Sequence, residues 1–235
     1  MLAFNNVNFG YKGKPVLLKD FNLKLPKGKT LLLGPNGSGK STMMSLAAGL
    51  LQAKSGTIIP KPSDIAIMPQ QVPVVRGLSV QEQVAYVGWL SGLSRNESWR
   101  RSEAILQTLN LGNRRSERTG ALSGGELRRV GIASSLIAGN SILLLDEPTA
   151  GLDPLQSKQF YASLEELSAD KCILISSHQI SGVSDFFDYV AVVNRGNLLF
   201  FGTLLEFRNI GGSRAESDMD ATLINAYSIL VEGSS

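Results

Sequence analysis

The sequence has few of the features that mark secreted or membrane-spanning proteins. Its single cysteine, Cys172, lies in the apolar run at residues 172–175, which predicts a small buried side chain of a reducing compartment rather than a reactive thiol. No apolar run approaches the roughly 18 residues that a membrane-spanning helix needs, and residues 1–14 lack the apolar core of a signal peptide. We therefore expect a cytoplasmic chain, for which any role at a membrane requires a separate partner.

The chain also lacks a strong excess of either charge. Its 23 basic and 20 acidic residues give a formal net charge of +3, which is too small to indicate a nucleic-acid partner. With 43% hydrophobic residues, a length of 235 residues is sufficient for one sizeable core, with at most a small appended lobe. The composition thus predicts one globular folding unit, and no nucleic acid is expected.

Short apolar runs that alternate with helical patterns predict an α/β fold. Residues 1–30 mix alternating apolar residues with glycine turns, which is typical of a small antiparallel sheet. Continuous apolar runs predict strands buried on both faces, as in a parallel sheet. These runs are residues 30–33, 141–145 and 172–176. Helical patterns follow the first run at residues 41–48 and separate the last two at residues 154–167, as in a parallel α/β core.

Two other regions have patterns of their own. Residues 80–137 are rich in helix-forming residues, with apolar side chains at helical spacing, which predicts a helical insertion or lobe. Residues 190–201 predict a hairpin, and Thr203 with Glu206 forms a capping box that predicts the start of a helix. We expect a loop at residues 211–220 and a frayed chain end after it.

A glycine-rich loop joins the first predicted buried strand to its helix. Residues 34–41 fit the pattern G-x-x-x-x-G-K-[ST], in which backbone N–H groups and the helix N-terminus bind phosphate. Lys40 is expected to reach the β and γ phosphates, Ser41 to bind Mg²⁺, and Thr42 to make a secondary phosphate contact. A plain glycine-rich turn is the alternative, and the position between strand and helix argues against it. The residues of the predicted phosphate site are Gly34, Pro35, Asn36, Gly37, Ser38, Gly39, Lys40, Ser41 and Thr42.

Two carboxylates end the second predicted buried strand. Asp146 and Glu147 follow the apolar residues 142–145, so both side chains are expected at the carboxyl edge of the sheet. Asp146 would bind Mg²⁺ through its water shell, and Glu147 would polarise or deprotonate the water that attacks the γ-phosphate. Taken alone, the pair would be interpreted as solvated acids at a strand end. The phosphate loop upstream favours the catalytic interpretation.

Together these motifs resemble the ATP-binding subunit of ABC transporters and are most similar to bacterial ABC-2-type export ATPases. The resemblance covers about residues 2–207. It implies a phosphate-loop NTPase core with a mainly parallel sheet, an N-terminal antiparallel β subdomain and a helical subdomain that carries a signature motif. On this basis residues 1–235 form a single ABC ATPase domain. Its predicted parts are a core at residues 1–75 and 138–210, a helical subdomain at residues 76–137 and a C-terminal tail at residues 211–235.

The same resemblance assigns roles to residues that carry little signal by themselves. Gln70 matches the catalytic Q-loop glutamine, which contacts Mg²⁺ and the attacking water, with Gln71 as the alternative register. Asp153, in the D-loop stretch AGLD, is placed among the nucleotide-binding residues, and His178, the chain's only histidine, matches the catalytic switch histidine. Tyr11 matches the aromatic residue that stacks on adenine, with ordinary packing as the alternative.

The stretch LSGGELRR at residues 122–129 resembles the family's signature motif. The resemblance implies that Ser123, Gly124 and Gly125 contact the γ-phosphate of ATP bound to the opposite subunit, at a helix N-terminus that exposes N–H groups. Ser123 and Glu126 also form a capping box, which leaves the two adjacent glycines unexplained. The family more often has glutamine in place of Glu126. A signature that acts across subunits requires a dimer, and a homodimer with two competent sites is expected, while a heterodimer stays open.

The implied activity is ATP hydrolysis with Mg²⁺, coupled to transport, with export as the expected direction. Transmembrane permease subunits are the expected partners, and they would hold the chain at the cytoplasmic face of the cell membrane. The surface near Gln70 and residues 72–93 is expected to receive them, with Tyr86, Trp89 and Leu90 either in that groove or in the core. The alternative is a soluble ABC-type ATPase that acts on ribosomes or DNA. The sequence has no long heptad insertion, which the members with long coiled coils need, and it has room for one cassette, whereas translation-type members usually have two.

Overall fold

A computed structural model describes residues 1–167, 170–177, 186–212 and 219–233, and these form strands and helices around two hydrophobic cores. The strands are β1 (Leu2–Phe9), β2 (Leu18–Leu25), β3 (Gly28–Leu33), β4 (Ser55–Ile59), β5 (Ile65–Met68), β6 (Ile142–Asp146), β7 (Cys172–Ser177), β8 (Tyr189–Asn194) and β9 (Asn197–Thr203). The helices are α1 (Lys40–Ala47), α2 (Val80–Leu90), α3 (Arg95–Thr108), α4 (Gly124–Leu136), α5 (Pro154–Leu167), α6 (Leu204–Ile210) and α7 (Met219–Glu232). The α/β class predicted from the sequence is confirmed.

The larger sheet has six strands in the order β5-β6-β7-β3-β8-β9. All neighbouring strands are parallel except the pair of β8 and β9, which is antiparallel and forms the predicted hairpin. Because β3, β5, β6 and β7 run in the same direction, their carboxyl ends meet at one edge of the sheet. The three strands predicted from continuous apolar runs lie in the middle of this sheet, as β3, β6 and β7.

The two faces of the larger sheet are both covered, which explains the continuous apolar runs. Alternate side chains point to opposite faces, so Leu143 and Leu145 join the core beneath the helices, while Leu144 joins the core with α1 and the smaller sheet. Cys172 lies in this second core and is 1% exposed. Burial raises the pKa of its thiol, and the prediction of a small buried side chain is confirmed.

The smaller sheet is antiparallel, with the order β2-β1-β4. Its first two strands lie within residues 1–30, as predicted. The third strand, β4, comes from residues after the phosphate loop and α1, outside the predicted segment. The sequence pattern missed β4 because it is a short edge strand that is mostly exposed, and its pairing with β1 is a long-range contact.

Helices α2, α3 and α4 occupy residues 80–136 and pack against one another, in agreement with the predicted helical region. Each begins at a serine whose side chain accepts a hydrogen bond from the backbone N–H three residues later; these serines are Ser79, Ser94 and Ser123. The boundaries proposed for the core and the helical subdomain remain predictions. Among the described residues, no helix has the length and apolar character that crossing a membrane requires.

The frayed C-terminal end was predicted wrongly, because Met219–Glu232 form helix α7. Of the loop predicted at residues 211–220, residues 213–218 lie outside the described residues. Leu223 and Ala226 are 1% and 0% exposed and belong to the same core as Phe207 of α6. The helical spacing of its apolar residues was present in the sequence, and burial against α6, β8 and β9 is what holds the helix in place.

Candidate active site

The carboxyl edge of the larger sheet brings several of the predicted nucleotide-binding residues together. The phosphate loop follows β3, Gln70 follows β5, and Glu147 follows β6. A cleft of about 720 Å³ is lined by Tyr11, residues 36–42, Gln70 and Glu147. Four motifs that are distant in the sequence therefore face one space, as expected for a ligand at the carboxyl ends of parallel strands.

The phosphate loop has the conformation of an anion site. Gly37 and Gly39 have φ angles of 81° and 109°, which residues with a side chain rarely adopt. Helices α2, α3, α4 and α6 begin at a serine or threonine that caps them, whereas no side chain of the described residues caps α1. The buried Oγ of Ser38 also has no hydrogen-bond partner among the described residues. Exposed N–H groups and an unsatisfied hydroxyl fit a bound phosphate.

Lys40 lies at the centre of this loop. It is only 6% exposed, and its Nζ donates hydrogen bonds to the carbonyl oxygens of Gly34 at 2.6 Å and Pro35 at 3.2 Å. Burial lowers the pKa of its ammonium group below the ordinary value, while the nearby carboxylates of Glu147 and Asp146 oppose that effect. The loop thus folds around a cation that lies close to both carboxylates.

The two hydroxyl residues that follow Lys40 differ in their surroundings. Ser41 is exposed and lines the cleft, where it is accessible to a metal ion. Thr42 is buried, and its Oγ1 lies 3.1 Å from the hydroxyl of Tyr11. Tyr11 lines the same cleft, is 42% exposed and packs edge-on against Phe9. The ring of Tyr11 is therefore accessible for stacking on a base while its hydroxyl is tied to the phosphate loop.

Asp146 and Glu147 are held by a third residue, Ser176 of β7. The Oγ of Ser176 donates a 2.6 Å hydrogen bond to Oδ1 of Asp146 and accepts a 2.8 Å hydrogen bond from the backbone N–H of Glu147. Glu147 has a φ of 47°, which turns the chain at the end of β6, and its side chain lines the cleft. Gln70 donates a 3.1 Å hydrogen bond from Nε2 to Oε2 of Glu147. Gln70, rather than Gln71, is thus the glutamine of the cleft.

The signature stretch starts α4, and Ser123 and Glu126 form the predicted capping box. The Oε2 atom of Glu126 accepts hydrogen bonds from the backbone N–H of Ser123 at 2.9 Å and from its hydroxyl at 2.7 Å. A Cβ atom at Gly125 would lie 3.3 Å from Cδ2 of Leu152, whereas a Cβ at Gly124 would meet no described atom within 4 Å. Leu152 therefore approaches α4 closely at Gly125, and Gly124 faces open space.

Asp153 was predicted from the sequence as a site residue, whereas Arg128 was not. Asp153 caps α5, since its Oδ1 accepts a 2.8 Å hydrogen bond from the backbone N–H of Gln156. Arg128 of α4 donates a 2.9 Å hydrogen bond from Nη1 to the carbonyl oxygen of Glu147. Neither Arg128 nor Ser176 was predicted from the sequence. For Ser176 the available signal was a polar residue at the end of a buried strand. His178 lies outside the described residues.

Comparisons with known proteins agree with this geometry. The family model described as ABC transporter matches residues 18–150. The linearmycin resistance ATP-binding protein LnrL of Bacillus subtilis is 30% identical over 216 residues, which are 86% of this chain and 69% of the relative. The iron(3+)-hydroxamate import ATP-binding protein FhuC of Bacillus subtilis is 33% identical over 224 residues, which are 87% of this chain and 83% of the relative. A bacterial ABC transporter cassette with a dimeric structure aligns with a TM-score of 0.78 and 25% identity, over 87% of this chain and 99% of that one. This chain belongs to the ABC transporter family and is one of its ATP-hydrolysing, ATP-binding subunits.

Proposed function

We propose that the chain closes with a second ATPase subunit around two ATP molecules, hydrolyses them, and so moves separate permease subunits between two states. The observation that carries this proposal is the cleft in which Tyr11, the phosphate loop, Gln70 and Glu147 meet. Each of these groups suits one part of MgATP: the flat ring suits the base, the loop suits the phosphates, and the carboxylate suits the attacking water.

The donor set of the cleft fits ATP and Mg²⁺. The N–H groups at the start of α1 and the ammonium of Lys40 suit phosphate oxygens, and the oxygens of Ser41, Gln70 and Asp146 are hard ligands of the kind that Mg²⁺ prefers. Bound Mg²⁺ would neutralise part of the negative charge of the phosphates. Ser176 donates a hydrogen bond to Oδ1 of Asp146 and so fixes the carboxylate for this role.

Glu147 is proposed to take the proton of the attacking water. Its carboxylate is oriented by the amide of Gln70, and its backbone is held on two sides, by Ser176 at the N–H group and by Arg128 at the carbonyl oxygen. A base held in this way needs little reorganisation as the reaction proceeds. His178 is proposed to act beside the γ-phosphate, on the strength of its match to the family's switch histidine alone.

The signature stretch is proposed to act on the nucleotide of the partner subunit. Of the described residues that line the cleft, none belongs to residues 122–129, so Ser123, Gly124 and Gly125 lie outside the nucleotide space of their own chain. Gly124 faces open space at the start of α4, where exposed N–H groups favour an anion. The dimeric form of the similar cassette supports a two-subunit arrangement. Asp153, next to the same surface, is proposed to lie at this dimer interface.

A groove beside α2 and α3 is proposed to receive the permease. Tyr86, Trp89 and Trp99 are 43%, 56% and 47% exposed and line a cavity of about 780 Å³. Core packing was the role expected first for each of Tyr86, Trp89 and Leu90, and that expectation is wrong, since Leu90 is also 63% exposed. Large exposed aromatic side chains around a cavity are typical of protein interfaces. Docking of a membrane partner here would hold the chain at the cytoplasmic face of the membrane.

Export is the direction that we propose. The sequences of residues 89–94 and 149–154 resemble those of export ATPases, and one relative is named for linearmycin resistance. Another relative of similar identity is named for import, so transport itself is the discriminating measurement. In vesicles that carry the permease with the ATPase outside, an exporter fills the lumen with substrate when ATP is added, and an importer empties it. Recovery of ribosomes and no membrane protein with the tagged chain would instead favour the soluble alternative.

The proposal is tested by mixing two inactive variants of the purified chain. Ser123→Arg blocks the signature, and Lys40→Ala removes the phosphate-binding cation, so each variant alone should hydrolyse almost no ATP. A mixed dimer regains one site, because the intact Lys40 of one subunit meets the intact Ser123 of the other. An equal mixture should therefore recover about a quarter of the parental activity, since half of the dimers are mixed. No recovery, or recovery to the parental level, would contradict action across subunits.

A further inference from the structure

The carboxylate of Glu126 is shared between two residues. Its Oε2 accepts the two hydrogen bonds from Ser123, while its Oε1 lies 3.2 Å from Nε of Arg114. Arg114 comes from the turn after α3 and also contacts Glu117, with Nη1 2.8 Å and 3.0 Å from the two carboxylate oxygens. The Glu126 side chain is only 17% exposed, so its pairing with Arg114 is less screened than an ion pair in open solvent.

Glu126 poses two problems for a signature that meets the γ-phosphate of a partner subunit. A carboxylate one side chain away from the phosphate adds electrostatic repulsion. It also competes for the hydroxyl proton of Ser123, which it already accepts at 2.7 Å. A glutamine at this position would cap the helix without the negative charge. A cation beside Glu126 would offset the repulsion and would weaken the hold of the carboxylate on the Ser123 hydroxyl.

We propose that Arg114 is a positioning residue for ATP-driven dimer closure, because it neutralises Glu126 and so allows Ser123 to meet the phosphate of the partner subunit. This inference rests on the proposed function of the signature across subunits. Arg114 does not line the cleft of its own chain, which is formed by other described residues, so its effect should appear in closure and not in nucleotide binding to the monomer.

Arg129 is the other cation near Glu126, and the structure favours Arg114 over it. Hydrogen bonds from Ser123 lower the pKa of Glu126 most, and the charges of Arg114 and Arg129 lower it further. Only Arg114 of the two has a direct contact with the carboxylate in the described residues, and Glu117 and Glu126 together raise the pKa of its guanidinium. Arg114 thus remains charged and in place.

The test is ATP-driven dimerisation of the full chain, measured by light scattering during an ATP titration. Glu147→Gln serves as the parent, since it should accumulate the closed dimer. Adding Arg114→Gln should raise the half-maximal ATP concentration for closure about tenfold, and Arg114→Lys, which keeps the charge, should stay within about threefold of the parent. The double change Arg114→Gln with Glu126→Gln should close like the parent, because no carboxylate is left to neutralise.

Arg115→Gln is the matched control. Arg115 is the next residue along the chain, its side chain is 45% exposed against 49% for Arg114, and it pairs with Glu103 of α3 instead of Glu126. It should leave closure unchanged, and binding of a fluorescent nucleotide to the monomer should be the same in all variants. A merely structural role of Arg114 would not be rescued by Glu126→Gln.

Two outcomes would overturn the proposal. Closure of the Arg114→Gln variant at the parental ATP concentration would show that Glu126 needs no counter-charge, and failure of Glu126→Gln to rescue it would show that Arg114 acts through another group. Ser123→Arg in the same background tests the underlying function separately, since it should abolish closure. If Ser123→Arg closes normally, the signature does not act across subunits and the proposed function fails as well.

Discussion

Ser176 and Asp146, which face each other on the neighbouring strands β7 and β6, are joined by a 2.6 Å hydrogen bond from the serine Oγ to the aspartate Oδ1. The same Oγ accepts the backbone N–H of Glu147, so one hydroxyl holds both carboxylate residues at the end of β6. Ser176 is 0% exposed, and water cannot replace these hydrogen bonds if the hydroxyl is removed. The geometry of the proposed metal ligand and of the proposed base therefore depends on a residue of another strand.

Ser176→Ala should lower ATP turnover about tenfold or more, because it removes the hydrogen bonds that Ser176 makes with Asp146 and with the backbone N–H of Glu147. ATP binding through the phosphate loop should be almost unchanged, so the effect should fall on kcat rather than on KM. Steady-state ATPase assays check this. Ser135→Ala is the matched control, since Ser135 is also buried but donates to the carbonyl oxygen of Gly131, away from the cleft. Equal losses in the two variants would contradict a positioning role for Ser176.

Glu147→Gln should reduce turnover at least about a hundredfold, because glutamine keeps the size of the side chain and cannot accept the proton of the attacking water. ATP binding should persist, and the closed dimer should accumulate in the presence of Mg²⁺ and ATP. Size-exclusion chromatography with and without ATP checks the dimer, and phosphate release checks turnover. Glu166→Gln removes an exposed carboxylate from α5 and should change neither measurement. Turnover at the parental rate in Glu147→Gln would remove this residue from the mechanism.

The parts of the site that follow one another in the chain were predictable from the sequence. Residues 30–42 combine a buried strand, a glycine loop and a helix start, and the conformation of such a loop is decided mostly by its own residues. The capping box of Ser123 and Glu126 is equally local, because its partners are three residues apart.

The contacts between distant segments were not predictable in the same way. Ser176 meets Asp146 because β6 and β7 pair in one particular register, which the local pattern of either strand leaves undetermined. Gly125 was taken with Gly124 as a phosphate contact, whereas its close approach to Leu152 depends on how α4 lies against the D-loop.

Helix α7 gives a direct test of the corrected C-terminal fold. Leu223→Ala should lower the free energy of unfolding by about 2–4 kcal/mol, because Leu223 is 1% exposed in the core beside α6 and its loss leaves a cavity. Ile224→Ala, at the neighbouring position that is 49% exposed, should change it by no more than about 1 kcal/mol. Urea unfolding followed by circular dichroism measures both. Equal and small effects would mean that the chain end is frayed, as the sequence had suggested.

The capping box that starts α6 predicts a dependence of stability on pH. Hydrogen bonds from the backbone N–H and hydroxyl of Thr203 lower the pKa of Glu206 below its ordinary value. The folded state therefore binds the proton of Glu206 less readily than the unfolded state does. The resulting stabilisation is fully present above the ordinary pKa of a glutamate and is lost as the pH falls through the lowered pKa of the folded state.

Glu206→Gln removes this charge and keeps an oxygen that can accept one of the same hydrogen bonds. The parent should be more stable than the variant at about pH 7, and the difference should shrink as the pH is lowered towards about 3, because protonation makes the two side chains alike. Urea unfolding of both proteins across this range measures the difference. Glu166→Gln, in which the exposed carboxylate is removed from α5, should show no such convergence. If the free energies of unfolding of the parent and Glu206→Gln differed by the same amount at every pH, the shape of the Glu206 side chain, and not its charge, would account for the stabilisation.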